Sequence, residues 1–486
     1  MEMRLSKQDW IFFLICLGLG IVAEISFFHD MIGISYVVFS TCLYAVFFWR
    51  FRSYQFANKR IGLLLMVAIW LLSASFLFYS NMVFYMLNTL VIPFLVIGHL
   101  VLMTSPKEVL WHRWPFISRI YFKVSQSIGY AFRFLMTGPA RIKAGMDEQK
   151  AHFVKRVLIG LVISFPLLFV IIILLTSADQ QFGRLLGALP EWFSSLRIGE
   201  EIVRAGIVAV FTLALFGLFQ VLYQKDTVEA EVPVPKEKMN WDGVIAITVL
   251  VLLNLVYLLF VVVQFRYFFS ETLQGEFTYA GYARRGFFEL VLVTLANLAI
   301  LTSVLTYVKV ENSWGRMFIR TMLTLMVAFS GVMLYSAFLR LLMYEEAYGF
   351  TFARVLAHSF MIFLMVILLY TVAKVWLERL SLVHFCLITS LIYYTVLNMI
   401  NIDRIIVEQN LDRFEETEKI DIYYLYSLSY EGVIGLAELY ELNPSMPGLR
   451  GLLVHSRQEA AEADWSWQSY NLSREKAYER LKKLDL

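Results

Sequence analysis

An all-α, polytopic bundle of about eleven membrane-spanning helices, with a small helical extracytoplasmic C-terminal domain, is the fold this sequence predicts. Three observations lead there. Hydrophobic residues make up 59% of the 486 and charged residues only 17%, against roughly 45–50% and 25% in soluble domains. Apolar runs of about 20 residues recur, the length a helix needs to cross a hydrocarbon core about 30 Å thick. Lysine and arginine fall in alternate connections between those runs. Together these exclude a soluble enzyme, a disordered chain and a collagen-like fibre. A net charge of +3 carries no nucleic-acid footprint, so nucleic acid is not an expected partner.

Residues 1–104 hold four spans, near 10–28, 31–49, 61–79 and 82–104. The first does not read as a cleavable signal, because no small-x-small site follows Glu24. Gly18-Leu-Gly20-Ile-Val-Ala23 has the glycine spacing of a dinucleotide turn, but it sits in a span with no strand before it. Small residues there predict close helix packing instead. Cys16, Cys42 and Cys386 fall in apolar runs without a Cys-x-x-Cys and read as buried small hydrophobes.

Residues 105–154 form a basic connector. It mixes Trp111, Arg113, Trp114, Arg119, Tyr121 and Lys123, with apolar positions Ile117, Ile120, Val124, Ile128, Ala131 and Leu135 at helical spacing. That combination predicts an amphipathic helix on an anionic inner leaflet; a packed connector is the alternative. Residues 155–223 supply two further spans, 155–176 and 201–223, joined by an outer loop. A linker at 224–240 carries Pro233 and Pro235 among mixed charges. Residues 241–401 supply five more spans, near 242–265, 286–308, 317–341, 353–373 and 381–401. No clear internal repeat supports an inverted-repeat transporter.

Residues 402–486 form the tail, with sixteen acids and ten bases. Apolar positions recur helically in 404–415, 421–442 and 448–463, Pro444 and Pro447 interrupt them, and Ser473 reads as the N-cap of a last helix. The basic connections lie on one side throughout, which predicts a cytoplasmic N-terminus and an extracytoplasmic tail in a bacterial plasma membrane.

Ionisable groups inside spans are costly, so their depth is informative. With this orientation they gather in the outer third: Arg266, Arg284, Arg285, Glu289, Arg340, Arg354, His358 and Asp403. Arg354 and His358 are four apart and share a helical face, as do Arg285 and Glu289. Tyr344 extends the Arg340 stripe, Glu345 and Glu346 read as a short outer loop, Gly349 permits a turn, and Thr351 is placed to cap the next span. Such a set is either a collection of structural ion pairs and snorkelling side chains or an outward polar pocket for a ligand. The scattered histidines predict no metal site, and no motif predicts a cofactor.

Four segments carry a family resemblance. They are Phe-Thr-Tyr-Ala-Gly-Tyr-Ala-Arg-Arg-Gly-Phe-Phe-Glu at 277–289, Tyr-Glu-Glu-Ala-Tyr-Gly-Phe-Thr at 344–351, Asn401-Ile-Asp403-Arg404 leading into Asn410, and Tyr470-Asn471-Leu472-Ser473-Arg474. Ser177-Ala178-Asp179 adds to them. The chain resembles, over roughly 170–480, the bacterial polytopic membrane proteins grouped as domain-of-unknown-function four-one-five-three and four-one-seven-three. The resemblance implies a bacterial membrane location and no activity. The leading expectation is therefore a non-enzymatic envelope binding or scaffold protein. Its expected partners are membrane lipids, and an envelope polymer or membrane-protein partner. A secondary transporter and an outer-leaflet enzyme on lipid-linked substrates are the alternatives.

Overall fold

The computed structural model describes residues 7–137, 198–224, 241–269, 287–310 and 312–486. Those residues are helical almost throughout, and nine of their helices are long and apolar enough to cross a membrane. A tenth apolar helix, Ile34–Arg50, is shorter. At about 1.5 Å per residue its 17 residues reach roughly 25 Å, short of a hydrocarbon core about 30 Å thick. The expected span at 155–176 lies outside the described residues.

The chain divides into two compact units. The first comprises residues 1–78, 86–229 and 464–471. Its helices are α1 (Lys7–Phe27), α2 (Ile34–Arg50), α3 (Lys59–Phe78), most of α4 (Met82–Thr104), α5 (Trp114–Thr137) and α6 (Ile198–Tyr223). Lipid tails are as apolar as leucine, so close packing and polar bridges hold such helices together. Gly20 provides the close packing: a Cβ there would lie 2.4 Å from the Thr212 Oγ1 of α6. Gly18 faces open space, so only one of the paired glycines is a contact. The bridges are Ser40 to Ser73 at 3.0 Å, Asn88 to Ser75 at 3.0 Å, and Tyr44 to His99 at 3.0 Å. Cys16 is buried as expected, whereas Cys42 and Cys386 are only half-buried.

Residues 464–471 complete this unit. Gly33 N–H donates to Gln468 O at 3.0 Å, and Ile34 N–H to Tyr470 O at 3.1 Å. The Ser466 hydroxyl donates to Asp30 at 2.9 Å, and the Asn471 amide to Phe76 O at 2.9 Å. A Cβ on Gly33 would meet Tyr470 O at 2.4 Å, so only glycine admits this strand of chain.

The second unit comprises residues 79–85, 230–463 and 472–486. Its apolar helices are α7 (Gly243–Phe269), α8 (Phe287–Tyr307), α9 (Ser313–Tyr348), α10 (Phe352–Trp376) and α11 (Leu382–Met399). Helix α9 is the axis: Leu323, Met326, Met333 and Ala337 are fully buried against α7, α8 and α10. An amide–hydroxyl chain crosses the group: Tyr257 donates to Asn297 at 2.5 Å, and Asn297 to Ser330 at 2.8 Å. Helix α9 has 36 residues and runs on to Tyr348. Glu345 and Glu346 therefore lie in its last turns, not in a loop, because nothing in 342–348 breaks a helix before Gly349.

The tail residues form α12 (Ile402–Thr417), α13 (Ile422–Ser427), α14 (Ser429–Leu442), α15 (Leu449–Glu462), a 3-10 turn (Trp467–Ser469) and α16 (Leu472–Lys483). The expected helix over 421–442 is split, because Leu428 takes an extended conformation with ψ 123°. Ile406, Leu425, Leu436 and Leu453 are buried together with Phe352 and Val355 of α10 and Tyr393 of α11. Ser473 lies inside α16 rather than capping it, and its hydroxyl donates to Glu431 at 2.8 Å.

Candidate functional site

The α9–α10 turn concentrates the expected polar residues of the second unit. Gly349 ends α9 with φ 80° and ψ 175°, a conformation open essentially to glycine alone. Thr351 occupies the N-cap position of α10, but its side chain makes no capping bond; its carbonyl accepts from Arg354 and Val355 instead. This reversal puts Glu345 against His358. Glu345 Oε2 lies 3.1 Å from His358 Nδ1, with side-chain exposures of 1% and 14%. The ring of His358 packs on Phe338 at 4.5 Å between centroids. Glu345 Oε1 is buried without a hydrogen-bond partner. Arg340 is buried one turn below, beside Ser336.

Arg354 does not pair with His358, although the two share a face. Its guanidinium sits 4.1 Å over the Tyr344 ring and donates to the carbonyl of Gly349. Cation–π contact and a carbonyl bond together hold the cation at the mouth of the turn. Glu346 is exposed, and its contribution is its carbonyl.

Three tail side chains close on the same turn. Asn410 of α12 accepts from Phe350 N–H at 3.1 Å and donates to Phe350 O at 2.9 Å. Arg413 donates to Glu346 O at 3.2 Å and to Ala347 O at 3.0 Å. The Tyr424 hydroxyl accepts from Phe352 N–H at 2.8 Å. Composition and spacing single out none of these three. Asn410 alone carried a signal, as the end of a motif in the family resemblance.

Asp403 has other partners. It accepts from Asn81 at 2.8 Å at the head of α12, beside the Ser429 hydroxyl and the buried Glu431. Burial raises its pKa, and the nearby Glu431 charge pushes the same way, against hydrogen bonds from Ser429 and Asn81. Folded Asp403 thus keeps its proton to higher pH than the unfolded carboxyl does. The cost of its charge is absent at low pH and complete above the folded pKa, so this group makes stability fall as pH rises through that interval. We expect Asp403→Asn to flatten that slope, which is at most about 1.4 kcal/mol per pH unit for one proton. Thermal midpoints measured from acid to neutral pH check it; an unchanged profile would show that Asp403 does not couple.

Of the remaining expected site residues, Glu289 is exposed in the first turn of α8. Arg284, Arg285 and the side chain of Arg266 lie outside the described residues. The first unit holds a charged group of its own: Glu24 lies 3.4 Å from His29 and 3.9 Å from Arg204. Among the described residues no group of three or more His, Cys, Asp or Glu is placed to hold a metal ion. The arrangement at the α9–α10 turn is therefore a buried acid–imidazole pair enclosed by a clasp, with most of its polar atoms committed to neighbours.

Comparison with known proteins adds one match. A family model described as a domain of unknown function (DUF4153) matches residues 66–439. The match begins well before residue 170, where the motif resemblance starts, and ends before the Tyr470–Arg474 motif. No curated protein and no solved structure matches.

Proposed function

Since the chain belongs to the DUF4153 family, whose description carries no activity, we propose a function from its own geometry: a membrane-anchored binding scaffold of the bacterial envelope. In this reading the spans serve as a mount and α12–α16 as the presented module. One observation carries it. Asn410, Arg413 and Tyr424 come from two tail helices and all bond backbone groups of residues 346–352. Backbone carbonyls and amides cannot be repositioned by rotamer changes, so the five bonds from these three side chains hold the module's angle to α9 and α10. A catalytic or transport site keeps polar groups open to a substrate, whereas here backbone polar groups of the turn are spent on the clasp.

Charge sharpens the choice of ligand. The tail's sixteen acids against ten bases repel an anionic polymer or headgroup and favour a cationic protein surface. Exposed Tyr423 and Leu442 offer apolar contact on the same module. In this reading the module faces away from the cytoplasm, as the arrangement of basic connections predicts.

The test uses the full-length protein in cells. Photo-crosslinking residues at Tyr423 and Leu442 are expected to give discrete protein adducts that weaken with salt. A single cysteine at Leu442 should react with an impermeant thiol reagent, and one at Ser53 only after permeabilisation, once the native cysteines are replaced. Reaction at Ser53 alone overturns the orientation. Absence of adducts, together with solute flux in proteoliposomes that Glu345→Gln abolishes, replaces the scaffold with the transporter.

A further inference from the structure

We propose that α5 is an interfacial membrane helix: its outward stripe of Trp114, Ile117, Tyr121 and Ile128 is covered by the glycerol–acyl boundary of the lipid leaflet that holds the ends of α4 and α6. The contact is apolar, calls for no particular headgroup, and is independent of the scaffold reading.

The helix has two opposed faces. Phe116, Lys123, Ser127, Tyr130 and Phe134 are all buried, and at 3.6 residues per turn they fall on one side. The stripe falls on the other, with Trp114 and Tyr121 73% and 71% exposed and Ile117 and Ile128 exposed beside them. Arg119 does not serve the outer face, since its Nε donates to Ser105 Oγ at 3.0 Å. The stripe itself carries no charged residue.

Packing fixes where α5 lies. A Cβ on Gly217 of α6 would meet Ser127 O at 2.6 Å, so glycine admits the close contact of the two helices. Ile120 reaches Gly98 of α4, and Phe134 packs on Phe216 of α6 at 4.8 Å and on Phe13 of α1 at 5.0 Å. Each of these partners lies six or seven residues from an end of its own helix, about 10 Å at 1.5 Å per residue. The contacts run from Ile120 to Phe134, about 21 Å of α5, and stay at that level. Helix α5 thus runs across this end of the bundle rather than through it. Its 24 residues would suffice to span, but Arg119, Lys123 and Arg133 interrupt its apolar character and it is not among the nine apolar helices.

What covers the stripe follows from that level. Spans matched to a core about 30 Å thick place their last turns where acyl chains meet headgroups. Trp and Tyr are favoured there, because ring and polar tip suit the two media at once. The surface beside α5 already belongs to lipid: Phe134 also packs on Trp10 at 5.6 Å, and Ile11 and Leu14 next to it are exposed along the span of α1. Lys107 and Arg113 are exposed just before α5, as bases flanking an in-plane amphipathic helix are. In this proposal the packed connector and the surface helix expected from the sequence are the two faces of one helix.

The experiment uses the full chain in nanodiscs, with the native cysteines replaced and a nitroxide attached at Ile117→Cys, Tyr121→Cys or Ile128→Cys in turn. Oxygen, which partitions into acyl chains, is expected to collide with these labels more often than a water-soluble nickel chelate does, and the order to reverse at Lys107→Cys. A chelate rate above the oxygen rate along the stripe places α5 in water and overturns the proposal. Labels shielded from both reagents overturn it too, by making the occupant protein; broadening between labels would identify that protein as a second copy. If the labelled variants do not fold, the unmodified protein decides. A phosphatidylcholine with a photoactivatable group near its glycerol should modify the 114–128 peptide, and a peptide left unmodified while the spans react overturns the proposal.

Discussion

Replacing His358 with leucine lowers the stability of this protein by about 1–3 kcal/mol, the usual consequence of leaving a buried polar group without its partner. Glu345 is 1% exposed and its Oε1 already lacks a hydrogen bond, so the imidazole at 3.1 Å is its principal compensation. Leucine supplies volume but no donor. The Glu345 carboxyl group then sits without its partner in the α9–α10 turn, while the Arg354 cation stays engaged over Tyr344. Removing both polar groups should cost far less: Glu345→Leu combined with His358→Leu is expected to recover most of the loss. Thermal unfolding in detergent of the two single variants and the double variant measures the coupling. Additive losses would show that the two residues are neighbours without being partners.

Gly349→Ala is expected to cost about 2–4 kcal/mol, from two sources that add. Backbone at φ 80° and ψ 175° strains any residue with a Cβ by about 1–3 kcal/mol. The new Cβ would also lie 2.7 Å from Asn410 Oδ1, displacing the amide that bonds Phe350 on both sides. Each bond lost contributes about 1 kcal/mol. Asn410→Ala loses the bonds without the strain and should fall between the wild type and Gly349→Ala. Amide exchange locates the effect: protection should drop in α12 and α14 in both variants, while the buried middle of α9 stays protected. Unchanged exchange in α12 would mean that the clasp does not hold the module.

Among the described residues the apolar helices were legible because lipid leaves a helix no alternative, and a run of about 20 apolar residues has one stable outcome. The end of α9 was not. Hydropathy stops at 341 where charge begins, but Glu345 and Glu346 are good helix formers, and a helix does not end where it leaves the apolar layer. The pairing of Glu345 with His358 followed from the same extension, since the extra turns carry the carboxylate back to the start of α10. Asn410, Arg413 and Tyr424 were invisible for a different reason. Their partners are backbone carbonyls and amides, which every sequence has at every position, so side-chain pattern carries no trace of them. Lys123 illustrates a third limit: its spacing marked an amphipathic helix, but only the packing of α5 on α6 shows which of its faces is enclosed.

The return of residues 464–471 to the first unit bears on how the protein is made. Ser466 meets Asp30 across 436 residues of sequence, so the first unit lacks its last segment until that length of chain has been synthesised. Synthesis at roughly 5–20 residues per second puts about 20–90 seconds between the two partners. Throughout that time Gly33 and Ile34 present the amide groups that Gln468 and Tyr470 later occupy. Assembly of the first unit is therefore complete only after residues 464–471 have been made, and a ribosome that stops before residue 464 releases a chain in which that unit remains unsealed.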